Sequence, residues 1–344
     1  MVNYASKVAN TNVVDSLISL GVNISVIFTP EHGFSGTEDA GSKVCDSLYH
    51  DIPVASLYGN KLRPAHSDLV NTDIVVFDLQ DVGTRFYTYI STLTYVMEAC
   101  SEAGKPIIVL DRPDPNGFYV DGPVLEPKFS SFVGLHPVPV VYGMTIGEYA
   151  TMVKGENWCI RAQNLQLRVV KCKNYTHSSL YKLPVSPSPN LPNMRAIYLY
   201  PSLCFFEGTV VSVGRGTDFP FQVIGCPDYP DTGFSFTPKS IPGKSMNPPY
   251  KGQLCYGIDL RNIKTEELTE QPGIRLSYLM DMYTKLDKED SFFTHYFSLL
   301  AGTDTLQKQI IEGLSAAEIS RSWQKDLEKF KKIRIKYLLY PDFE

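Results

Sequence analysis

The sequence has no apolar stretch long enough to cross a membrane. Its longest apolar runs, such as Ile74 to Phe77 and Ile107 to Leu110, have the length of buried strands. A spanning helix needs roughly 20 such residues. Excess positive charge is missing as well. The 32 Lys and Arg are outnumbered by 37 Asp and Glu, for a formal net charge of −5. That argues against a nucleic-acid backbone or an anionic membrane surface as the main partner. Seven cysteines stand at positions 45, 100, 159, 172, 204, 226 and 255, none in a Cys-x-x-Cys pair. Scattered among apolar neighbours, they read as free buried thiols rather than a disulfide framework or a zinc site. No Gly-x-Gly-x-x-Gly follows a strand, and there is no Walker loop or Gly-x-Ser-x-Gly elbow. The six histidines show no metal-ligand spacing, so neither metal nor cofactor is expected. Met1 to Asn10 has no apolar leader segment, and no internal repeat is visible.

What is present points to two domains, because 344 residues exceed one comfortable core. The first half alternates strand and helix. Val13, Val14, Leu17 and Ile18 share a helical face, capped by Thr11 or Asn12, with Gly21 as the stop. Nothing strand-like precedes this helix, so a first strand is expected to be missing. Strands are expected at Val22 to Thr29, Ile74 to Asp78, Pro106 to Asp111, Val138 to Tyr142 and Leu165 to Lys171. Between them, a long helix is expected over about Phe86 to Ala103, stopped by Gly104. Another opens at the capping box Thr145-Ile-Gly-Glu148. Repeated strand–helix units with near-continuous apolar strands predict a parallel sheet wrapped by helices.

The Pro-rich stretch Pro184 to Pro192 continues neither a helix nor a central strand and marks a junction. Residues 1–185 form the expected α/β domain and 186–344 a smaller α+β domain. In the latter, helices are expected at Ala196 to Phe206, at Leu276 to Leu286, and from the Ser315/Glu318 cap to about Lys336. The run Lys329, Lys331, Lys332, Arg334 and Lys336 reads as the solvated face of that last helix.

Ligands bind outside the carboxyl ends of strands in open α/β sheets, so polar residues there carry the most information. One strand runs into Glu31 and His32, and a second into Asp78, Gln80, Asp81 and Arg85. A third runs into Asp111, Arg112, Asp114 and Asn116, while His136 and Tyr142 bracket the expected fourth. Each group also has a plain structural reading. Glu31 and His32 suit a loop ion pair, Asp78 or Asp81 a helix cap, and Asp111 to Gly117 a turn. Phe86, Tyr87 and Tyr89 suit core and rim, although Tyr89 also suits stacking on a sugar ring. A metal held by Glu31, His32, Asp78, Asp81 and His136 is a minority alternative.

Several segments carry a resemblance. They include Phe28-Thr-Pro-Glu-His-Gly-Phe34, Asp78-Leu-Gln-Asp-Val-Gly-Thr-Arg-Phe-Tyr-Thr-Tyr89 and Asp111-Arg-Pro-Asp-Pro-Asn-Gly117. Later ones are His136-Pro-Val-Pro-Val-Val-Tyr142, Ser188-Pro-Asn-Leu-Pro192, Tyr200 to Thr209 and Gly214-Arg-Gly-Thr-Asp218. In order and over nearly the whole chain, they resemble the bacterial exo-β-N-acetylmuramidases, formerly a domain of unknown function. The resemblance implies a Rossmann-like parallel-sheet domain followed by a smaller α+β domain, with the active-site cleft between them. It implies release of N-acetylmuramic acid from the non-reducing end of peptidoglycan-derived muramic acid–glucosamine oligosaccharides. It also implies an exported or periplasmic protein, although the lack of a leader in this sequence leaves a cytoplasmic one open.

Under that resemblance Glu31 is the expected proton donor, oriented by His32. Glycoside cleavage also needs a group that stabilises an oxocarbenium-like centre. Glu207, Asp78 and Asp81 are the candidates, and the substrate's own acetamide is a third route. Arg85 or Arg215 suits the lactyl carboxylate of muramic acid. Gln80, Tyr89, His136, Tyr142 and Asn190 complete the expected substrate contacts. Two rivals stand beside this reading: a non-catalytic wall-glycan binding protein, and a metal-dependent hydrolase of another substrate.

Overall fold

In the computed structural model, which describes residues 1–36 and 47–344, the parallel sheet is built in two parts. Val75–Phe77, Ile107–Leu110 and Leu167–Val170 pair in that order, all parallel. Ile27–Thr29 pairs in parallel with Ile52–Ser56, whose other side takes Ser47–Tyr49 antiparallel. Ile27–Thr29 is buried along its length, whereas the edge strand Leu167–Val170 alternates between half-buried and exposed. This is the difference expected between a central and an edge strand.

The opening residues join the two parts. Met1 N donates to the Val76 carbonyl at 2.7 Å, and Asp78 N donates to the Met1 carbonyl at 2.9 Å. On the other side Val2 N donates to the Phe28 carbonyl at 3.0 Å. Met1 makes the slanted bonds of a parallel ladder to Val75–Phe77, and Val2 carries the link to Ile27–Thr29. Two buried residues do that work, too few for any periodicity to reveal.

Val138 to Tyr142 does not join the sheet. The place beside Ile107–Leu110 is taken by Leu167–Val170, and Val141 instead bridges Thr84 and Asp121. Other local signals hold. Asn12 caps Val13–Ser19, Thr145 and Glu148 form a reciprocal capping box, and Gly104 ends Tyr89–Ala103 with φ of 65°. That helix starts three residues later than expected, because Phe86 turns inward to meet Tyr200 and Phe205 edge-on at 5.2 and 5.8 Å. These contacts belong to a large apolar core that draws on both halves of the chain.

Beyond the Pro-rich stretch come the helix Met194–Leu203, a 3-10 turn Cys204–Gly208 and the antiparallel sheet of Ser235–Phe236, Cys255–Asp259 and Val223–Cys226. Short helices follow, among them Ser277–Leu286 and Tyr296–Ala301. The last expected helix is two, Ala316–Ser322 and Gln324–Arg334, broken at Trp323, whose indole donates to Asp121 at 3.0 Å. Arg334 is not on a solvated face. It is buried, donates to the Gly143 carbonyl at 2.8 Å and pairs with Asp342. Cys100, Cys159, Cys204, Cys226 and Cys255 are free and buried, Cys172 is free and half-buried, and Cys45 lies outside the described residues.

Candidate active site

The parallel strands end on one edge, and neighbouring strands deliver neighbouring side chains. Ile27–Thr29 leads into Pro30 and Glu31, and the chain then turns through His32 and Gly33, both with φ of 69°. A left-handed histidine costs about 1–2 kcal/mol, and such strain persists where the surroundings enforce it. Here His32 is buried, with its Nε2 3.4 Å from the Ser188 hydroxyl. Ile52–Ser56 lies beside Ile27–Thr29 and leads to Tyr58, a close neighbour of Glu31. Burial, and then the charge of Glu31, push the Tyr58 phenol above its ordinary range.

Glu31 and Tyr58 line a partly enclosed cavity of about 360 Å³. The second half of the chain lines it too, through Glu207, Arg215, Tyr296 and Leu300. Glu207 sits on the 3-10 turn, where Arg215 Nε donates to Oε1 and the Cys204 thiol donates to Oε2 at 3.7 Å. Gly214 and Gly216 flank Arg215 with φ of 77° and 79°. A Cβ on Gly216 would meet the Lys239 carbonyl at 2.6 Å, so glycine is what seats this loop. The Arg215 guanidinium lies over the Phe221 ring at 5.2 Å.

The expected site residues divide into two sets. Glu31, His32, Tyr89, Asn190, Glu207 and Arg215 share the cavity. Tyr89 is held by Asn3, which donates to its hydroxyl at 2.9 Å, and Asn190 donates to the Lys244 carbonyl at 3.1 Å. The others do not line it. Asp78 is gripped by Arg112 through two bonds of 2.6 and 2.9 Å. Asp81 is buried, accepting from the Tyr142 hydroxyl and from Gly83 N at 2.9 Å, and burial pushes its carboxyl up to about 6. Tyr142 is fully buried on that bond. Gln80 donates to the backbone of Asp81 and Pro113 at 2.8 and 2.9 Å.

Arg85 and His136 also lie outside the cavity lining. Arg85 is fully buried and donates to the carbonyls of Pro123, Val138, Leu300 and Ala301 at 2.7–2.9 Å. Burial lowers its guanidinium to about 9, and these four bonds all go to backbone carbonyls. His136 stacks on Trp158 at 5.4 Å, contacts the Thr94 hydroxyl at 3.1 Å and is lowered to about 4 by burial. With Asp78, Asp81 and His136 committed elsewhere, the five-residue metal site considered from sequence does not assemble. Among the described residues no group of three or more His, Cys, Asp or Glu converges as metal ligands. Tyr58 and Tyr296 were missed. The only signal for Tyr58 was the apolar run Ile52 to Leu57, which Pro53 interrupts.

Two carboxylates lining one cavity, one paired with arginine and one beside a tyrosine, are the equipment of a glycoside hydrolase, which this chain is. The chain belongs to the exo-β-N-acetylmuramidase NamZ family, whose N-terminal model matches residues 1–195 and whose C-terminal model matches residues 198–340. It is 40% identical to the peptidoglycan β-N-acetylmuramidase NamZ of Bacillus subtilis (strain 168), with 93% of this chain and 80% of that protein covered. Two crystal structures of DUF1343 family proteins from Bacteroides fragilis NCTC 9343 share the fold. One has a TM-score of 0.91 at 47% identity, covering 99% of this chain and 93% of its own. The other has a TM-score of 0.80 at 26% identity, covering 96% and 90%.

Proposed function

We propose that this chain is an exo-acting β-N-acetylmuramidase that removes terminal N-acetylmuramic acid from the non-reducing end of peptidoglycan fragments. The observation that carries the reading is that Glu31 and the arginine-paired Glu207 line one partly enclosed cavity. At about 360 Å³ the cavity is at the small end of ligand pockets, about 300–1,000 Å³. That suits one terminal sugar rather than the middle of a glycan strand. The site lies in the cleft where two domains, divided near residue 186, meet.

Glu31 gives its proton to the glycosidic oxygen as the C1–O bond breaks. Glu207, kept in place by Arg215 and Cys204, faces the developing positive charge at C1. Asp78 and Asp81 are set aside for this role, being buried on other partners. Arg215 also meets the lactyl carboxylate, Tyr89 flanks the sugar, His32 steadies the Glu31 turn and Asn190 completes the polar contacts.

The test is incubation with the muramic acid–glucosamine disaccharide, with and without chelator, scoring both free sugars. Both sugars are expected from the wild type at the same rate in either condition. Glu31→Gln is expected to lose about 10²–10⁴-fold, the range general-acid catalysis contributes. Undiminished turnover by that variant removes Glu31 from the role. Loss of activity with chelator favours the metal-dependent rival.

A further inference from the structure

The cavity has room for one sugar, yet the substrate carries a second, which has to lie at the mouth. We infer that Phe132, with Ser131 beside it, seats the sugar on the leaving side of the cleaved bond, a neutral glucosamine-type pyranose. The inference rests on the muramidase reading with Glu31 as proton donor.

A tight turn builds the seat. Ser131 and Gly134 exchange two backbone bonds of 2.9 Å, which leaves Phe132 and Val133 at the tip. The Ser130 hydroxyl donates to the Leu135 carbonyl at 3.1 Å and closes the base. A Cβ on Gly134 would sit 3.2 Å from Arg85 Cδ, so the stem rests on the buried arginine. The Phe132 ring is backed by Tyr95, nearly parallel to it at 6.1 Å, and Tyr58 tilts against it at 6.1 Å. Its orientation is therefore set before any sugar arrives.

Exposure divides the aromatic rings of the cavity into two groups. Phe86, Tyr87, Tyr89, Tyr200 and Phe221 are buried in its wall. Tyr58, Phe132 and Tyr296 are only half-buried and mark its mouth. Strand adjacency says which side of the mouth Phe132 occupies. Thr29 pairs with Ser56, and Glu31 and Tyr58 each stand two residues past that pair. Phe132, packed on Tyr58, thus belongs to the side of Glu31. A proton donor has to reach the glycosidic oxygen, so the sugar that departs with that oxygen lies on this side too.

The chemistry of the turn fits such a sugar. A pyranose with equatorial substituents presents an apolar face of C–H groups edged by hydroxyls. An aromatic ring matches the face. Ser131 Oγ matches the edge: it is buried, it has no hydrogen-bond partner among the described residues, and Ser131 lines the cavity. A buried hydroxyl left unpaired is costly, and a ligand hydroxyl relieves that cost. The segment Ser131-Phe-Val-Gly134 carries no charge, in keeping with a neutral ring.

The experiment measures kcat and KM for the wild type, Phe132→Leu and Ser131→Ala on two substrates. One is the muramic acid–glucosamine disaccharide. The other is N-acetylmuramyl fluoride, whose leaving group is a single atom with no sugar to seat. Leucine keeps apolar bulk on the turn and removes the flat ring. Phe132→Leu is expected to lower the disaccharide-to-fluoride ratio of kcat/KM about three- to tenfold, through KM for the disaccharide. Ser131→Ala is expected to lower it about two- to tenfold. An unchanged ratio in Phe132→Leu, or equal losses on both substrates, overturns the seat. Failure of the wild type to release muramic acid from the disaccharide sinks the muramidase reading instead. Glu31→Gln tests the proton donor separately, because its loss should be far larger on the disaccharide than on the fluoride. Thermal melting of each variant separates these outcomes from misfolding.

Discussion

Replacing Asp81 with Asn separates chemistry from support in the motif that looks most catalytic. Asp81 is buried on a hydroxyl and an amide, and its carboxyl is pushed from 3.8 up to about 6, chiefly by burial. At about 1.36 kcal/mol per pKa unit, holding it ionised at pH 7.5 costs about 3 kcal/mol. Because the folded pKa lies above the unfolded one, the folded state binds the proton more tightly. The wild type therefore gains stability as pH falls from 6 towards 3.8. Asn has no proton to bind and gains nothing. The ionisation cost that Asn avoids falls from about 3 kcal/mol at pH 7.5 to about 1 at pH 4.5. An amide N–H where Oδ1 lacks a partner subtracts about 1–3 kcal/mol at both pH values. Urea denaturation of both proteins at the two pH values should show the stability difference changing by about 2 kcal/mol in favour of Asn at the higher pH. Disaccharide turnover at pH 7.5 should persist. A pH-independent difference refutes the electrostatic argument. A loss of turnover by orders of magnitude in a folded variant returns Asp81 to the catalytic set.

Two further outcomes follow from the packing. Arg85→Met leaves four buried carbonyls without their donor and is expected to lose about 3 kcal/mol of stability by urea denaturation, with KM for the disaccharide unchanged in the folded protein. A raised KM without lost stability returns Arg85 to the substrate. Gly208→Ala sets a Cβ 2.4 Å from Phe297 Cα and 2.6 Å from its N, so the turn carrying Glu207 has to move. A cost of about 1–3 kcal/mol in stability and a lower kcat are expected by thermal melting and turnover. Full activity at an unchanged Tm contradicts the fit.

The sequence was informative where signals are local. Periodicity, caps and stops marked Val13–Ser19, Tyr89–Ala103 and the helix after Thr145, and four of the parallel strands. It was silent where a polar residue's partner is remote. Arg85 reaches carbonyls 215 and 216 residues away, Asp81 a tyrosine 61 away and Asp78 an arginine 34 away. A buried structural arginine and a substrate-binding one look alike until the chain has folded. Tyr58 was hidden for the opposite reason. Its strand contains Pro53, whose only ladder partner is the edge strand through Leu48, so the usual rule against proline in a strand does not apply.

The Arg85 guanidinium bears on how firmly the cavity wall is held. It fastens the backbone of Leu300, whose side chain walls the cavity, to Pro123 and Val138. Swinging that wall outward breaks the bonds to Leu300 and Ala301 and bares a buried cation, so that side of the pocket does not act as a gate. Under the proposed function, the incoming sugar meets a wall already in place, and less ordering entropy is left for binding to supply. Recognition here is closer to a socket than to a closing hand.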